Sequence, residues 1–209
     1  MYLDVFKNFK KHCMTGISFM IPVIVLGGFC TALGRLFGDV ETVGSLGQVF
    51  LTAGSAAFTV MMGVLCAGIA YSICGKPGIA PGIIAGYLSN AVKASFLGAV
   101  FCGFLIGLLI LWMQKSLPQS KAMKSLYPIV IYPVISGIIA VLCVMFLVGP
   151  PLAALTQYLV DLFMNMTGVS KFVLGFMMGC MTGFDMGGPV NKAAYVTGTV
   201  LLGEGNTAF

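Results

Sequence analysis

The sequence predicts an all-α polytopic membrane protein, and three observations carry that reading. Hydrophobic residues make up 59% of the chain and charged residues only 8%, against about 25% charged in soluble domains. Mean hydropathy is +1.04. Uninterrupted apolar runs of about 20 residues, the thickness of a bilayer's hydrocarbon core, recur along the chain. A surface this poor in charge cannot face water on every side. The net charge of +5 reflects lysine clusters at loops, and no nucleic-acid-binding face is expected.

Taken in order, the runs and their interruptions give about six to seven hydrophobic helices. Residues 1–15 form a short amphipathic lead-in. The first span, "GISFMIPVIVLGGFCTALGRLFG", carries Pro22 and the Gly27-Gly28 pair as interruptions, and the second, "LTAGSAAFTVMMGVLCAGIAYSIC", stops at Lys76-Pro77. Segment 77–92 is about two-thirds of a full span and contains Pro81, so it is broken or re-entrant. A short or broken crossing is preferred, because it leaves Lys76 and the later lysine loop on one side of the membrane. Full-length runs "FLGAVFCGFLIGLLILWM" and "YPIVIYPVISGIIAVLCVMFLVG" follow, and the mixed pattern of 151–166 suits a helix lying at the interface. The last quarter holds "FVLGFMMGCMTGF", a second break near 184–190, and "VNKAAYVTGTVLLG".

Sidedness comes from the lysines. Lys7, Lys10 and Lys11 cluster near the N-terminus, and Lys115, Lys121 and Lys124 around one loop. The positive-inside rule makes both segments cytoplasmic. The basic lead-in runs into a long span without a small-residue cleavage site, so no cleaved signal peptide is expected. His12, the single histidine, is read as solvated or headgroup-facing. Seven scattered cysteines without a C-x-x-C pair read as small packing residues. No catalytic residue, metal ligand set or cofactor is expected.

Polar groups inside apolar sequence are expensive, which singles out "TGFDMGGPVNKAAY" at 182–195. Pro189 cannot donate an amide hydrogen bond and is favoured at the first position of a helix, so a new helix starts there, within the membrane. Its first turn offers free N–H groups and the positive end of the helix dipole. Such irregular backbone survives only buried in protein or lining a watery cavity. Asp185 supplies acceptors, Lys192 donors and Asn191 both, the mixture that a hydroxyl-rich ligand needs. Gly187 and Gly188 complete this candidate substrate-binding site, and Asn90 is a weaker candidate at the end of the short segment. Discontinuous helices with polar groups at mid-depth are typical of transporter substrate sites. The alternative is an Asp185–Lys192 ion pair that only staples the break. Glycines 78, 82 and 86, and glycines 175, 179, 183 and 187, recur every four residues, and such stripes let helix backbones approach closely.

Four ordered blocks resemble one family. "KHCMTGISFMIPVIVLGGFCTALG", "KPGIAPGIIAGYLSN", "YPIVIYPVISGIIAVLCVMFLVGPPLAAL" and "FDMGGPVNKAAY" are similar, in the same order, to the membrane (EIIC) subunits of the fructose-type phosphoenolpyruvate-dependent sugar phosphotransferase system (PTS). The resemblance covers residues 10 to 203, nearly the whole chain. It implies a multi-pass permease of the bacterial inner membrane with a cytoplasmic N-terminus, translocating a fructose-like hexose while a cytoplasmic EIIB partner, supplied by EIIA, phosphorylates it. It also implies a homodimer. No phosphoryl-carrying loop is present, so that residue belongs to EIIB. The EIIC-like membrane domain is placed at 16–203, after the 1–15 lead-in and before a 204–209 tail. Family members continue for well over a hundred residues, to a Gly-Ile-x-Glu-like motif whose Glu contacts the sugar. Glu204 in "LLGEGNTAF" does not stand in that context and inherits no such role, so the chain is expected to be a short or C-terminally truncated member. Two other readings stand beside the permease: a non-catalytic membrane module that assembles with a full-length permease, and an unrelated ion-coupled carrier or channel with Asp185 and Lys192 as coupling charges.

Overall fold

Each apolar run within the described residues becomes a helix, because in hydrocarbon a chain can satisfy its own backbone polar groups only by helical or closed-barrel bonding. The computed structural model describes residues 2–38, 42–117, 126–154, 158 and 171–184. A short helix α1 (Tyr2–Lys7) leads into α2 (Phe9–Leu36), followed by α3 (Leu46–Cys74), α4 (Ile79–Ala91) and α5 (Ser95–Ser116). A long helix α6 (Tyr127–Ala154) and a last described helix α7 (Lys171–Phe184) complete the order. Among the described residues, α2, α3, α5 and α6 are long and apolar enough to cross a membrane. The protein is an all-α multi-pass membrane protein.

Local chemistry sets the helix ends. Asn8 separates α1 from α2, its side-chain amide donating to the Asp4 carbonyl at 2.8 Å. Ser45 caps α3 by accepting from the Gln48 N–H at 3.1 Å, while Gln48 Oε1 accepts from the Gly44 N–H at 2.7 Å. This is a variant of the reciprocal capping box, in which the returning side chain reaches one residue further back. Gly75 closes α3 at φ +79°, a left-handed backbone that only glycine adopts without steric cost. Pro77 then opens a 3-10 turn, Lys76–Gly78, which turns the chain into α4.

Pro22 does not interrupt α2, contrary to the expectation from sequence: the helix runs unbroken from Phe9 to Leu36. One missing amide donor is a local loss, and 28 helical residues can carry it. The prolines of α6 act more strongly. Its first turn, Tyr127–Ile131, is π-helical, and a second π stretch, Cys143–Val148, precedes Gly149-Pro150-Pro151. A proline ring clashes with the carbonyl four residues earlier, and the wider π turn relieves that clash at Pro133 and Pro150. Tyr127 and Tyr132, one π turn apart, consequently stack at 5.7 Å between ring centroids.

Packing fixes the helix directions. Gly16 of α2 meets Leu65 and Ile69 of α3, whereas Gly34 meets Leu51 and Gly47, so these two helices are antiparallel. Helix α4 folds back along α3: Gly78 lies beside Ala70 and Cys74, Gly82 beside Ala67, and Gly86 beside Met62 and Cys66. A Cβ on Gly82 would fall 2.6 Å from the Ala67 Cα, so this stripe is required for the close approach, as its spacing predicts. Helix α5 returns antiparallel to α4, with Gly103 against Cys66 and Ile69 and Gly107 against Ile73. Helix α6 runs alongside α4, Gly137 facing Pro81 and Gly149 facing Val92. The core between them holds Met61, Met62, Leu65, Ile69, Ile106 and Ile110, all almost fully buried.

Segment 77–92 is thus a short inbound helix whose partner, α5, returns to the side it came from. Thirteen residues rise only about 20 Å, too little to match α3. Lys76 and Lys115 consequently lie at the same end of the bundle as the N-terminus, the arrangement that the charge argument favours. The interfacial pattern at 151–166 falls largely outside the described residues.

His12 requires a correction. It is not solvated but 9% exposed, with Nδ1 at 2.8 Å from Ser72 Oγ on α3. The Ser72 hydroxyl donates in turn toward Thr15 Oγ1 at 3.4 Å, and the ring meets Phe104 of α5 edge-on at 6.2 Å. All seven cysteines are free, with Cys66 and Cys102 buried and Cys180 exposed.

Candidate functional site

The residues that the sequence marks most strongly, Asp185, Gly187, Gly188, Asn191 and Lys192, lie outside the described residues. The helix leading to them, α7, ends at Phe184. Its glycines 175, 179 and 183 have no described atom within 4 Å of where a Cβ would stand. The expected close helix packing is therefore seen at the first glycine stripe and, among the described residues, not at the second.

Asn90 lies in the last turn of α4 and is half-buried. Its carbonyl accepts from the Lys93 N–H at 3.1 Å, and the Ser89 carbonyl accepts from the Ala94 N–H at 3.0 Å, which together close the α4–α5 turn. Lys93 sits there at φ +60°, a conformation uncommon for a residue with a side chain. The role observed for Asn90 is to shape this turn.

Sequence reasoning missed a polar recess on α3. Along this helix, burial changes abruptly: Met61, Met62 and Gly63 are buried where α4 covers them, and the next turn toward the N-terminus, Thr59 and Val60, is exposed. Beyond that level Leu51, Thr52, Ser55, Ala56, Thr59 and Val60, all on α3, line a shallow and wide-open recess. Among the described residues, α4 is too short to cover this part of α3. The hydroxyl of Thr52 donates to the Gln48 carbonyl at 2.9 Å, and that of Thr59 to the Ser55 carbonyl at 2.8 Å. Each proton is spent within the helix, so both oxygens present lone pairs outward. The recess can accept hydrogen bonds from a ligand's hydroxyls and can seat its apolar face on Leu51 and Val60. Asn90 does not line it. The legible signal was the spacing of Thr52, Ser55 and Thr59, which places three hydroxyls on one helical face inside an apolar run. Among the described residues, no cluster of His, Cys, Asp or Glu could hold a metal ion.

Comparison with known proteins gives a consistent answer. The family model described as "Phosphotransferase system, EIIC" matches residues 14–209. The chain is 35% identical over 209 residues to the "Fructose-like permease IIC component 2" of Escherichia coli K12, covering 97% of this chain and 58% of that protein. It is 34% identical over 226 residues to the "PTS system fructose-specific EIIC component" of Haloferax volcanii, covering 95% of this chain and 60% of that one. To the "PTS system fructose-specific EIIABC component" of Bacillus subtilis it is 32% identical over 212 residues, 97% of this chain and 33% of the relative. The chain thus spans less than two-thirds of the length of each of these relatives. No solved structure matches it.

Proposed function

The chain belongs to the EIIC family of the phosphotransferase system, and from that premise we propose that it is the membrane permease component of a fructose-like sugar system, binding a sugar and translocating it while a partner EIIB phosphorylates it. The observation that carries this reading is the family match across residues 14–209. The hydroxyls of Thr52, Ser55 and Thr59 on the open face of α3 can accept from a polyhydroxylated ligand and add chemical support. Relatives whose names join the B and C components in one chain support a cytoplasmic EIIB partner, and the Bacillus subtilis name adds EIIA. The site we assign is the break itself: Asp185 and Asn191 accept from sugar hydroxyls, Lys192 and Asn191 donate, and Gly187-Gly188 let the ligand approach the backbone. Asn90 remains a weaker member. The membrane domain runs from 16 to 203, flanked by the 1–15 lead-in and the 204–209 tail. It sits in the bacterial inner membrane as a homodimer, with the lysine-rich end and the N-terminus in the cytoplasm.

The test is reconstitution of the chain in vesicles with EIIB and a phosphoryl donor, following labelled fructose. Phosphorylated sugar inside, dependent on EIIB, supports the permease. Stable association with a longer EIIC protein without any uptake shows a non-catalytic module instead, and uptake of unmodified solute driven by an ion gradient shows a carrier. Within a positive result, Asp185→Asn and Lys192→Gln each weaken sugar binding and leave insertion intact. A stability loss recovered in the double variant, with binding unchanged, identifies a stapling ion pair and removes the site assignment.

A further inference from the structure

Five lysines converge on one end of the bundle, and the structure holds them in place. Lys7 ends α1; Lys10 and Lys11 lie in the first turn of α2, next to the His12–Ser72 contact. Lys76 follows the end of α3, and Lys115 lies in the last turn of α5 with Nζ 5.3 Å above the Tyr2 ring. All five are exposed. Phe9 stacks on Phe104 at 4.7 Å, so the lysines beside it ride on a packed helix and not on a loose arm. Asp4 is the one acid at this end among the described residues.

Amphipathic aromatics mark the same level. Tyr2 is 40% exposed, Tyr71 40% and Trp112, the chain's single tryptophan, 56%. Such residues seat at the boundary between hydrocarbon and headgroups. Trp112 stands one turn before Lys115 on the same helix face, and Phe6 of α1 is 61% exposed. Exposed apolar side chains begin within a turn or two of the lysines, at Met14 on α2, at Leu126 just before α6 and at Ile129 on it. The sequence of layers is cation, amphipathic ring, hydrocarbon side chain, which is the layering of a phospholipid monolayer. A soluble partner's surface has no counterpart for the third layer.

We propose that this end is a docking site for anionic phospholipid, in which Lys7, Lys10, Lys11 and Lys115 bind headgroup phosphates and Tyr2, Phe6 and Trp112 seat α1 at the interface. Cationic clusters on an amphipathic helix beside a membrane bind anionic headgroups, and an apolar insertion joined to a basic patch makes a stable anchor where either alone is weak. The site is independent of which solute the protein carries.

The experiment uses the whole chain purified in mild detergent, mixed with equal amounts of phosphatidylglycerol and phosphatidylcholine, with the retained lipids weighed by native mass spectrometry. The expected result is retention of phosphatidylglycerol over phosphatidylcholine by about tenfold or more, falling close to parity in Lys7→Gln/Lys10→Gln/Lys11→Gln/Lys115→Gln and unchanged in Arg35→Gln at the far end of α2. A wild type without preference overturns the proposal, as does a preference that survives in the quadruple variant. Loss of EIIB binding in that variant with the lipid ratio intact assigns the surface to a protein partner and also overturns it. Should the quadruple variant fail to insert, the wild type is measured at about 1 M salt, where screening shrinks to about 3 Å. Collapse of the ratio there supports the site, and persistence refutes it.

Discussion

His12 on α2 and Ser72 on α3 are joined at 2.8 Å between Nδ1 and Oγ, a side-chain hydrogen bond between helices 60 positions apart. Removing Ser72 strands the buried His12 Nδ1, which costs about 1–3 kcal/mol. Ser72→Ala should therefore lower unfolding stability in detergent by about that amount. Adding His12→Phe should restore much of it, because two apolar groups need no partner. A double-mutant cycle by chemical unfolding measures the coupling, and additive losses would deny it.

The two glycine stripes should answer oppositely to the same substitution. Gly82→Ala drives a methyl toward the Ala67 backbone and should cost about 1–3 kcal/mol through overpacking. Gly179→Ala meets nothing described within 4 Å and should gain about 0.5–1 kcal/mol from the restricted unfolded chain. Thermal unfolding of both variants, side by side, checks the contrast. Damage of equal size would mean that the second stripe is packed after all.

Lys93 at φ +60° stores backbone strain in the α4–α5 turn. Lys93→Gly should release about 1 kcal/mol, visible as a raised melting temperature. A lowered one would show that the lysine side chain holds the turn by more than its conformation costs.

The recess predicts a binding phenotype without a folding phenotype. Thr52→Val, Ser55→Ala and Thr59→Val together remove three exposed hydroxyls from α3. Each lost hydrogen bond is worth about 0.5–1.5 kcal/mol, so a sugar seated there should bind about tenfold or more weakly. Stability should change little, because Thr52 and Thr59 donate only within their own helix. Isothermal titration with fructose, paired with unfolding, separates the two effects.

The long helices were legible because hydrocarbon leaves a chain few options: where apolar residues run for a bilayer's thickness, α2, α3, α5 and α6 followed. The stripe at Gly78, Gly82 and Gly86 was equally readable, since its spacing alone puts small residues on one face. Other features depend on what a residue meets and not on its neighbours in sequence. His12 looked solvated beside Lys10 and Lys11, and its partner Ser72 carries no local mark. Pro22 looked like an interruption but sits in a helix long enough to absorb it, whereas Pro133 and Pro150 each follow a π stretch. The recess at Thr52, Ser55 and Thr59 could be spotted as a hydroxyl row, but its openness depends on how far α4 reaches along α3 among the described residues. The charged break at 185–192 is read from sequence chemistry alone.

The gathering of lysines at one end also couples the chain to the cell's voltage. Among the described residues, Lys7, Lys10, Lys11, Lys76 and Lys115, offset by Asp4, amount to a net four positive charges at one end of the bundle. Carrying one elementary charge through the membrane field is worth about 2.3 kcal/mol per 100 mV. Inverting the described part of the protein also carries Arg35 and Lys93 the other way, leaving a net two charges and about 5 kcal/mol of electrical work at a potential of that size. An energised membrane thus acts as a standing lock on its orientation, and de-energised vesicles should admit both.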